Sequence, residues 1–378
     1  MKIAVITTGF SRDENDTSGA AALHNFVKEL SLSPGIDVTV FAMYYPFDKR
    51  EYEYFKAKVF SFAKGNINNK SVKLRIWKKL RKKFSEEHIA NKFDIIQSLW
   101  LGESGYIASQ LSKKHNIPIA AACCGGELAG IKSINYGSQL KLWQRFFVRK
   151  TMKQANVIIA GSDFIINKLK QVYGGTFYHK AKKIPFGVDD KTFFPAEHKL
   201  NKEGRINLVN IANAVPVKAH DDLFKALSIV KEKFPDITLT CCGADEKNIL
   251  APLVKQYGLE NNVILKGAVE HSEVPGILQS SDIFVLSSLH ESQNVSIAEA
   301  AFCGLPVVST KVGVAEEITP YLAEPGNYIQ FALQIMNVIS DYENAKINCK
   351  TLFQKNRERF TLKGSTEGFL KLYSGILT

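Results

Sequence analysis

Short apolar runs alternate with longer amphipathic stretches along the whole chain, and that alternation decides what it can fold into. The first runs are Ile3–Thr7, Asp37–Met43, Asp94–Ser98, Pro118–Ala122, Val157–Ala160 and Lys183–Pro185. A second series follows at Ile206–Ala212, Ile237–Cys242, Val263–Lys266, Ile283–Ser287 and Pro306–Ser309. Between them apolar residues recur at helical spacing, in Gly19–Leu32, Glu103–His115, Gln139–Lys153, Asp221–Phe234, Asn248–Tyr257 and Val295–Cys303. Strands of about five residues separated by helices of ten or more predict parallel sheets with helices on both faces. Two series predict two doubly wound α/β domains, which suits 378 residues at roughly 100–200 per domain. The pattern breaks near Phe186–Asn201, and the stretch Asn327–Leu377 is helical throughout. Open parallel sheets bind ligands beyond the carboxyl ends of their strands. Two such domains are expected to face each other across a cleft, with the chemistry on residues that follow strands.

Composition narrows the class. With 45% hydrophobic and 23% charged residues the chain is neither disordered, fibrous nor a small disulfide scaffold. No apolar run approaches the roughly 18 residues of a spanning helix. The run Met1–Gly9 is too short for a secretion signal and reads as the first buried strand of a cytoplasmic protein. Cys123, Cys124, Cys241, Cys242, Cys303 and Cys349 show no C-x-x-C spacing and suit buried thiols.

The net charge of +12 is uneven: residues 1–190 carry +14 and residues 191–378 carry −2. A basic first half expects anionic partners. Its densest cluster, Lys73–Phe84, spaces Leu74, Trp77, Leu80 and Phe84 helically among cations. Either this is an amphipathic helix on an anionic membrane, or its stripe packs on the protein's own sheet. The tryptophan among so many cations favours the membrane, hence a protein peripheral to its inner face. No recognition helix or aromatic-basic repeat points to nucleic acid.

Several chemistries are missing from the sequence. No G-x-G-x-x-G follows the first strand, no P-loop is present, and no G-x-S-x-G nucleophile elbow occurs. His290-Glu291 begins a zinc motif that Asn294 breaks, and no D-x-D pair is present to hold a divalent metal.

The informative segment is Asp282–Ile318. A buried strand feeds a loop and then a helix, Val295–Cys303, for which Ser292 and Asn294 are N-cap candidates and Gly304 a stop. The amides at such a helix start, with about half a positive charge from the dipole, form an anion site. Glu291 precedes the helix and Glu299 lies in its second turn among Ile297, Ala298, Ala300 and Ala301. A carboxylate in so apolar a setting needs a partner. That partner is a neighbouring cation or, as the helix start at a strand end favours, the hydroxyls of a ligand.

This segment resembles the signature of the retaining, nucleotide-sugar-dependent glycosyltransferases of family 4, which have the GT-B fold of two Rossmann-like domains. The resemblance rests on Glu291, Glu299, Gly304, Pro306, Val307, Val308, Gly313 and Glu317. Phe186-Gly187-Val188-Asp189 with Phe193-Phe194-Pro195 is similar to the family's inter-domain link. The stretch Asn213–Asp221 is similar to its phosphate loop, with the family's lysine at Lys218 and Asn213 where it has arginine. Arg359-Phe360-Thr361 followed by Tyr373 resembles its end, where the last helix returns to the first domain. Thr17-Ser18-Gly19-Ala20 stands in place of a Gly-Gly loop, and Cys124-Gly125-Gly126-Glu127 in place of His-Gly-x-Asp.

The resemblance implies an acceptor-binding domain at 1–186 joined by the helix 362–378, and a donor-binding domain at 187–361. It implies transfer of a sugar from a UDP- or GDP-sugar to a glycan or lipid-linked acceptor, in cell-surface polysaccharide or glycolipid synthesis. Lys218 and Glu291 take the catalytic roles. Gly19, Asn213, Lys218, Ser292, Gln293, Asn294, Val295, Glu299 and Glu317 are expected on the donor, and Cys124, Gly125 and Glu127 on the acceptor side. No metal and no other cofactor is required, because protein cations and amides neutralise the leaving diphosphate. An epimerase or phosphorylase of the same fold, and a non-catalytic sugar-nucleotide binder, are the alternatives.

Overall fold

The computed structural model describes every residue except 15, 17–20, 47–49, 64–66, 68 and 197–204. The chain forms two compact units, Met1–Gly187 with Leu362–Thr378, and Val188–Thr361. Phe186 packs on Phe26 and Phe369 in the first unit, at ring-centroid distances of 5.4 and 5.6 Å. Val188 belongs to the second, where its amide donates to the Phe360 carbonyl at 2.8 Å.

The first unit runs β1 (Lys2–Thr7), α1 (Ala21–Leu32), β2 (Asp37–Ala42), β3 (Glu51–Tyr54), β4 (Ala57–Ser61) and α2 (Lys70–Asn91). It continues through β5 (Ile95–Leu99), α3 (Glu103–His115), β6 (Ile119–Cys123), α4 (Leu142–Gln154), β7 (Val157–Ala160), α5 (Asp163–Tyr173) and β8 (Ala181–Lys183). The sheet order is β3-β4-β2-β1-β5-β6-β7-β8, parallel except for the β3–β4 pair. Ile3, Val5 and Ile95 face one core while Ala4, Ile6 and Ile96 face the other, as period-2 strands covered on both sides require. The C-terminal helix Leu362–Leu377 closes one face through Phe369 and Tyr373, the latter donating to Gln97 Oε1 at 2.6 Å.

The second unit runs β9 (Asn207–Ile211), α6 (His220–Lys233), β10 (Thr238–Cys242), α7 (Leu250–Gln256), β11 (Val263–Gly267), α8 (Val274–Gln279) and β12 (Ile283–Leu286). Then come α9 (Val295–Phe302), β13 (Val307–Thr310), β14 (Leu322–Ala323), α10 (Tyr328–Ser340), α11 (Tyr342–Gln354) and α12 (Arg357–Phe360). Its six strands are all parallel, in the order β11-β10-β9-β12-β13-β14. Both units are therefore Rossmann-like α/β layers.

Two differences from the sequence reading have physical causes. The hairpin β3–β4 went unforeseen because Glu51, Glu53 and Lys58 give its edge the look of a loop; charge on an edge strand discourages pairing with other chains. The apolar stripe of Lys73–Phe84 does not face a membrane. Trp77, Leu80 and Phe84 of α2 are buried in the first unit's core, and Trp77 Nε1 donates to Tyr44 Oη at 3.0 Å. The sheet needs its face covered, and that stripe covers it; Leu74 alone of the four is exposed. Among the described residues no helix is long and apolar enough to cross a membrane.

Candidate functional site

In the second sheet the chain turns to one side after β9 and to the other at β12. The two neighbouring strands thus send their following loops apart, which opens a crevice at their carboxyl ends. After β9 comes a 3-10 turn, Pro216–Lys218; after β12 comes the loop 287–294 that starts α9. There Lys218 Nζ donates to Glu291 Oε1 at 2.6 Å, and Ser288 Oγ donates to the same oxygen at 2.7 Å. The backbone holds this pair in register. The Leu289 amide donates to the Val217 carbonyl at 2.8 Å, and Ser287 Oγ donates to the Lys218 and Ala219 carbonyls at 2.9 and 3.0 Å. Thr310 Oγ1 anchors the loop from β13 by donating to the Ser288 carbonyl at 2.6 Å.

Gly313 braces the same loop from behind. Its φ is +57°, and a Cβ there would lie 2.1 Å from the Gln293 carbonyl oxygen and 3.2 Å from Glu291 Cβ. The helix itself begins at Asn294, whose Oδ1 accepts from the Ile297 amide at 3.2 Å and from Ser296 Oγ at 2.7 Å. Gln293 and Asn294 are buried, Ser292 and Val295 half-buried. First-turn amides of a helix lack intrahelical acceptors, so this end of α9 presents donors and a positive dipole end next to Lys218's loop. Such an arrangement suits an anion.

Glu299, one turn further along α9, is 7% exposed and accepts from His271 Nε2 at 2.9 Å. This hydrogen bond raises the His271 pKa against the opposing effect of burial. Nearby Cys303 is pushed up to about 12 by burial, with Glu299 adding to it. Beside Lys218, His220 is buried and its Nε2 lies 3.2 Å from Asn210 Oδ1. Asn210 Nδ2 already donates to the Val285 carbonyl, so the imidazole is the donor and stays neutral; burial and then Lys218 pull its pKa down to about 4. Sequence reasoning missed both histidines. Their one available signal was position, since each follows a strand of this sheet.

Other expected residues sit differently. Asn213 is exposed, and its Oδ1 accepts from the Ala244 amide at 2.9 Å, tying the loop after β9 to the loop after β10. Glu317 pairs with Arg359, and its carbonyl accepts from Asn356 Nδ2 at 3.2 Å, which docks α12 on this unit. Gly19 lies outside the described residues.

In the first unit, Glu127 is buried at the carboxyl end of β6 and accepts from the amides of Leu101, Cys124 and Gly125 at 3.1, 3.1 and 2.7 Å. Burial raises its pKa and the amides oppose that rise. Burial also drives the Cys124 thiol well above its usual range, and the residue packs against the core rather than offering a nucleophile. Glu127 walls a cavity of about 500 Å³ together with Thr8, Lys73, Trp100, Glu103 and Lys141. Among the described residues no group of three or more His, Cys, Asp or Glu is gathered to hold a metal ion.

Two family descriptions match successive parts of the chain: Glycosyltransferase Family 4 over residues 20–192 and Glycosyl transferases group 1 over residues 190–352. The gpi3 protein of the phosphatidylinositol N-acetylglucosaminyltransferase of Schizosaccharomyces pombe is 28% identical over 51% of this chain and 43% of its own length. The N-acetyl-alpha-D-glucosaminyl L-malate synthase of Bacillus anthracis is 28% identical over 52% of this chain and 53% of its own. The match thus spans about half the length of those relatives. Sucrose-phosphate synthase from Thermosynechococcus elongatus shares the fold with a TM-score of 0.79 at 17% identity, over 99% of this chain and 98% of that one.

Proposed function

The chain belongs to glycosyltransferase family 4 with the GT-B fold, and from that premise we propose that it transfers a sugar from a nucleoside diphosphate sugar, UDP- or GDP-linked, to an acceptor hydroxyl with retained anomeric configuration. The observation that carries the reading is the Lys218–Glu291 pair, braced by two loops at the switch point of the second sheet beside the start of α9.

The chemistry follows from charge. As the glycosidic bond breaks, negative charge grows on the diphosphate, and fixed donors aimed at it favour the transition state over the ground state. Lys218 supplies a cation whose remaining N–H donors are available to phosphate oxygens, while the first amides of α9 supply the rest. Glu291 orients Lys218 and faces the donor sugar and the positive charge that develops at its anomeric carbon. Glu299 accepts from the ribose hydroxyls. With no carboxylate assigned to the opposite sugar face, attack from the leaving-group side retains the configuration, and the departing phosphate takes the acceptor proton. Because these groups neutralise the diphosphate, turnover requires no divalent metal.

The acceptor engages the first unit's cavity near Glu127. Both curated relatives carry an N-acetylated glucosaminyl group in their names, which supports screening N-acetylglucosamine donors first. A thermal-shift screen of nucleotides and their sugars tests the donor, since a ligand of the native state raises its melting temperature. NMR of the product then gives the anomer, and turnover in excess chelator tests the metal. Stabilisation by a nucleoside diphosphate, a retained anomer and chelator-resistant turnover are expected. An inverted product or an epimerised free donor would overturn the reading.

A further inference from the structure

The outward face of α4 is unlike the rest of the first unit. Leu142, Trp143 and Phe146 are 81%, 48% and 47% exposed within two helical turns. Large apolar side chains grouped this way on a protein surface mark an interaction site. Their setting is rigid. Phe147 stacks on Tyr106 with ring centroids 4.5 Å apart, Trp77 lies 5.7 Å from Phe147, and Trp143 meets the same ring edge-on at 5.6 Å. The far half of the helix is buried through Val148, Thr151 and Met152, and it packs so closely on α3 that a Cβ on Gly105 would meet Thr151 Cγ2 at 2.6 Å. The exposed tip therefore cannot roll inward to hide its apolar groups.

Charge says what covers it. Residues 128–162 contain six cations and no carboxylate. Of these, Lys141, Arg145, Arg149, Lys150 and Lys153 lie on or beside α4, all exposed, and Lys150 Nζ sits 5.4 Å over the Phe146 ring. An aromatic and leucine tip collared by cations matches the headgroup layer of an anionic bilayer, where rings settle at the interface and each cation adds to the attraction.

We propose that the first two turns of α4 are an interfacial anchor that seats the first unit on an anionic lipid bilayer, with Leu142, Trp143 and Phe146 inserted and Lys141, Arg145, Arg149 and Lys150 on the headgroups. This locates membrane attachment on α4, not on α2, whose stripe is spent on the core. Lys141, Trp143 and Phe147 also wall the 500 Å³ cavity, so a headgroup held in that bilayer reaches the cavity without leaving the interface. The anchor needs no donor chemistry and stands or falls apart from the function proposed above.

Co-sedimentation with vesicles of equal parts phosphatidylglycerol and phosphatidylcholine tests it, with pure phosphatidylcholine vesicles for comparison. The unaltered protein is expected to bind the anionic vesicles, to release them as salt rises, and to show Trp143 quenched by brominated lipid. The triple variant L142S/W143S/F146S and the pair R145E/K150E are each expected to bind on the order of tenfold more weakly or worse. The variant K78E/K79E/K82E, on the exposed side of α2, is expected to keep most of the binding. Circular dichroism melting confirms that each variant folds. The proposal is overturned if the protein ignores anionic vesicles or binds neutral ones equally well. It is equally overturned if the α2 variant rather than the α4 variants loses binding, or if light scattering shows α4 joining two copies of the chain.

Discussion

Gly313→Ala tests whether the loop carrying Glu291 works by position. A Cβ at 313 would lie 2.1 Å from the Gln293 carbonyl oxygen, against 3.4 Å for an ordinary contact, so one backbone segment must move by roughly 1.3 Å. The obstacle is backbone and cannot rotate away, and Glu291 Cβ lies on the same path at 3.2 Å. Displacement of a charged group by about 1 Å costs on the order of a hundredfold in rate. The positive φ adds about 1–2 kcal/mol of strain, roughly 2–8 °C of melting temperature for a unit of this size. Gly304→Ala separates the two effects. Its φ is +82° but its nearest neighbour is Pro195 Cβ at 3.4 Å, so it carries the strain without the clash. Steady-state kcat/KM with the best donor, alongside thermal melts, reads both. Gly313→Ala is expected to lose about a hundredfold in kcat/KM while Gly304→Ala stays within about threefold at a similar melting shift. Equal kcat/KM in the two variants would refute the idea that this loop's placement carries activity.

Other expectations follow from the same geometry. Lys218→Met should lower kcat by roughly 10²–10³-fold, the cost of one preorganised donor, measured in single-turnover transfer assays. Glu299→Gln should weaken nucleoside binding by roughly tenfold or more in calorimetry, with a smaller effect on a ligand lacking ribose hydroxyls. His220, held neutral with a pKa of about 4 against 6.5 unfolded, stabilises the fold above pH 6.5. As pH falls from 6.5 towards 4 the unfolded state takes up the proton first, and about 3 kcal/mol is lost; urea titrations should show a shallower slope in His220→Gln. His271 has the opposite sign. Its raised pKa makes its contribution complete below pH 6.5 and lost as pH rises through the folded value, so His271→Gln should destabilise at pH 6 more than at pH 9.

Along this chain, the alternation of runs such as Val157–Ala160 and Val295–Phe302 was legible because a strand buried on both faces and a helix at the sheet's end each leave a local mark. So was the spacing of Glu291 and Glu299, since one precedes and the other lies within a single helix. The polar edge strand β3 left no such mark, and the short strand β14 is two residues long. The stripe of Trp77, Leu80 and Phe84 was visible, but periodicity says only that a face is apolar, not whether sheet or lipid covers it.

By itself the sequence determined two α/β units, the alternation of most of their strands and helices, and a carboxylate-bearing helix start after a buried strand. Only the tertiary structure decided the partners: Lys218 with Glu291 across 73 positions, His271 with Glu299 across 28, and Gly313 against Gln293. The reason is that β9 and β12 become neighbours through sheet order, a choice made by long-range packing. Local propensity records which residues can follow a strand, whereas the sheet decides which of them meet.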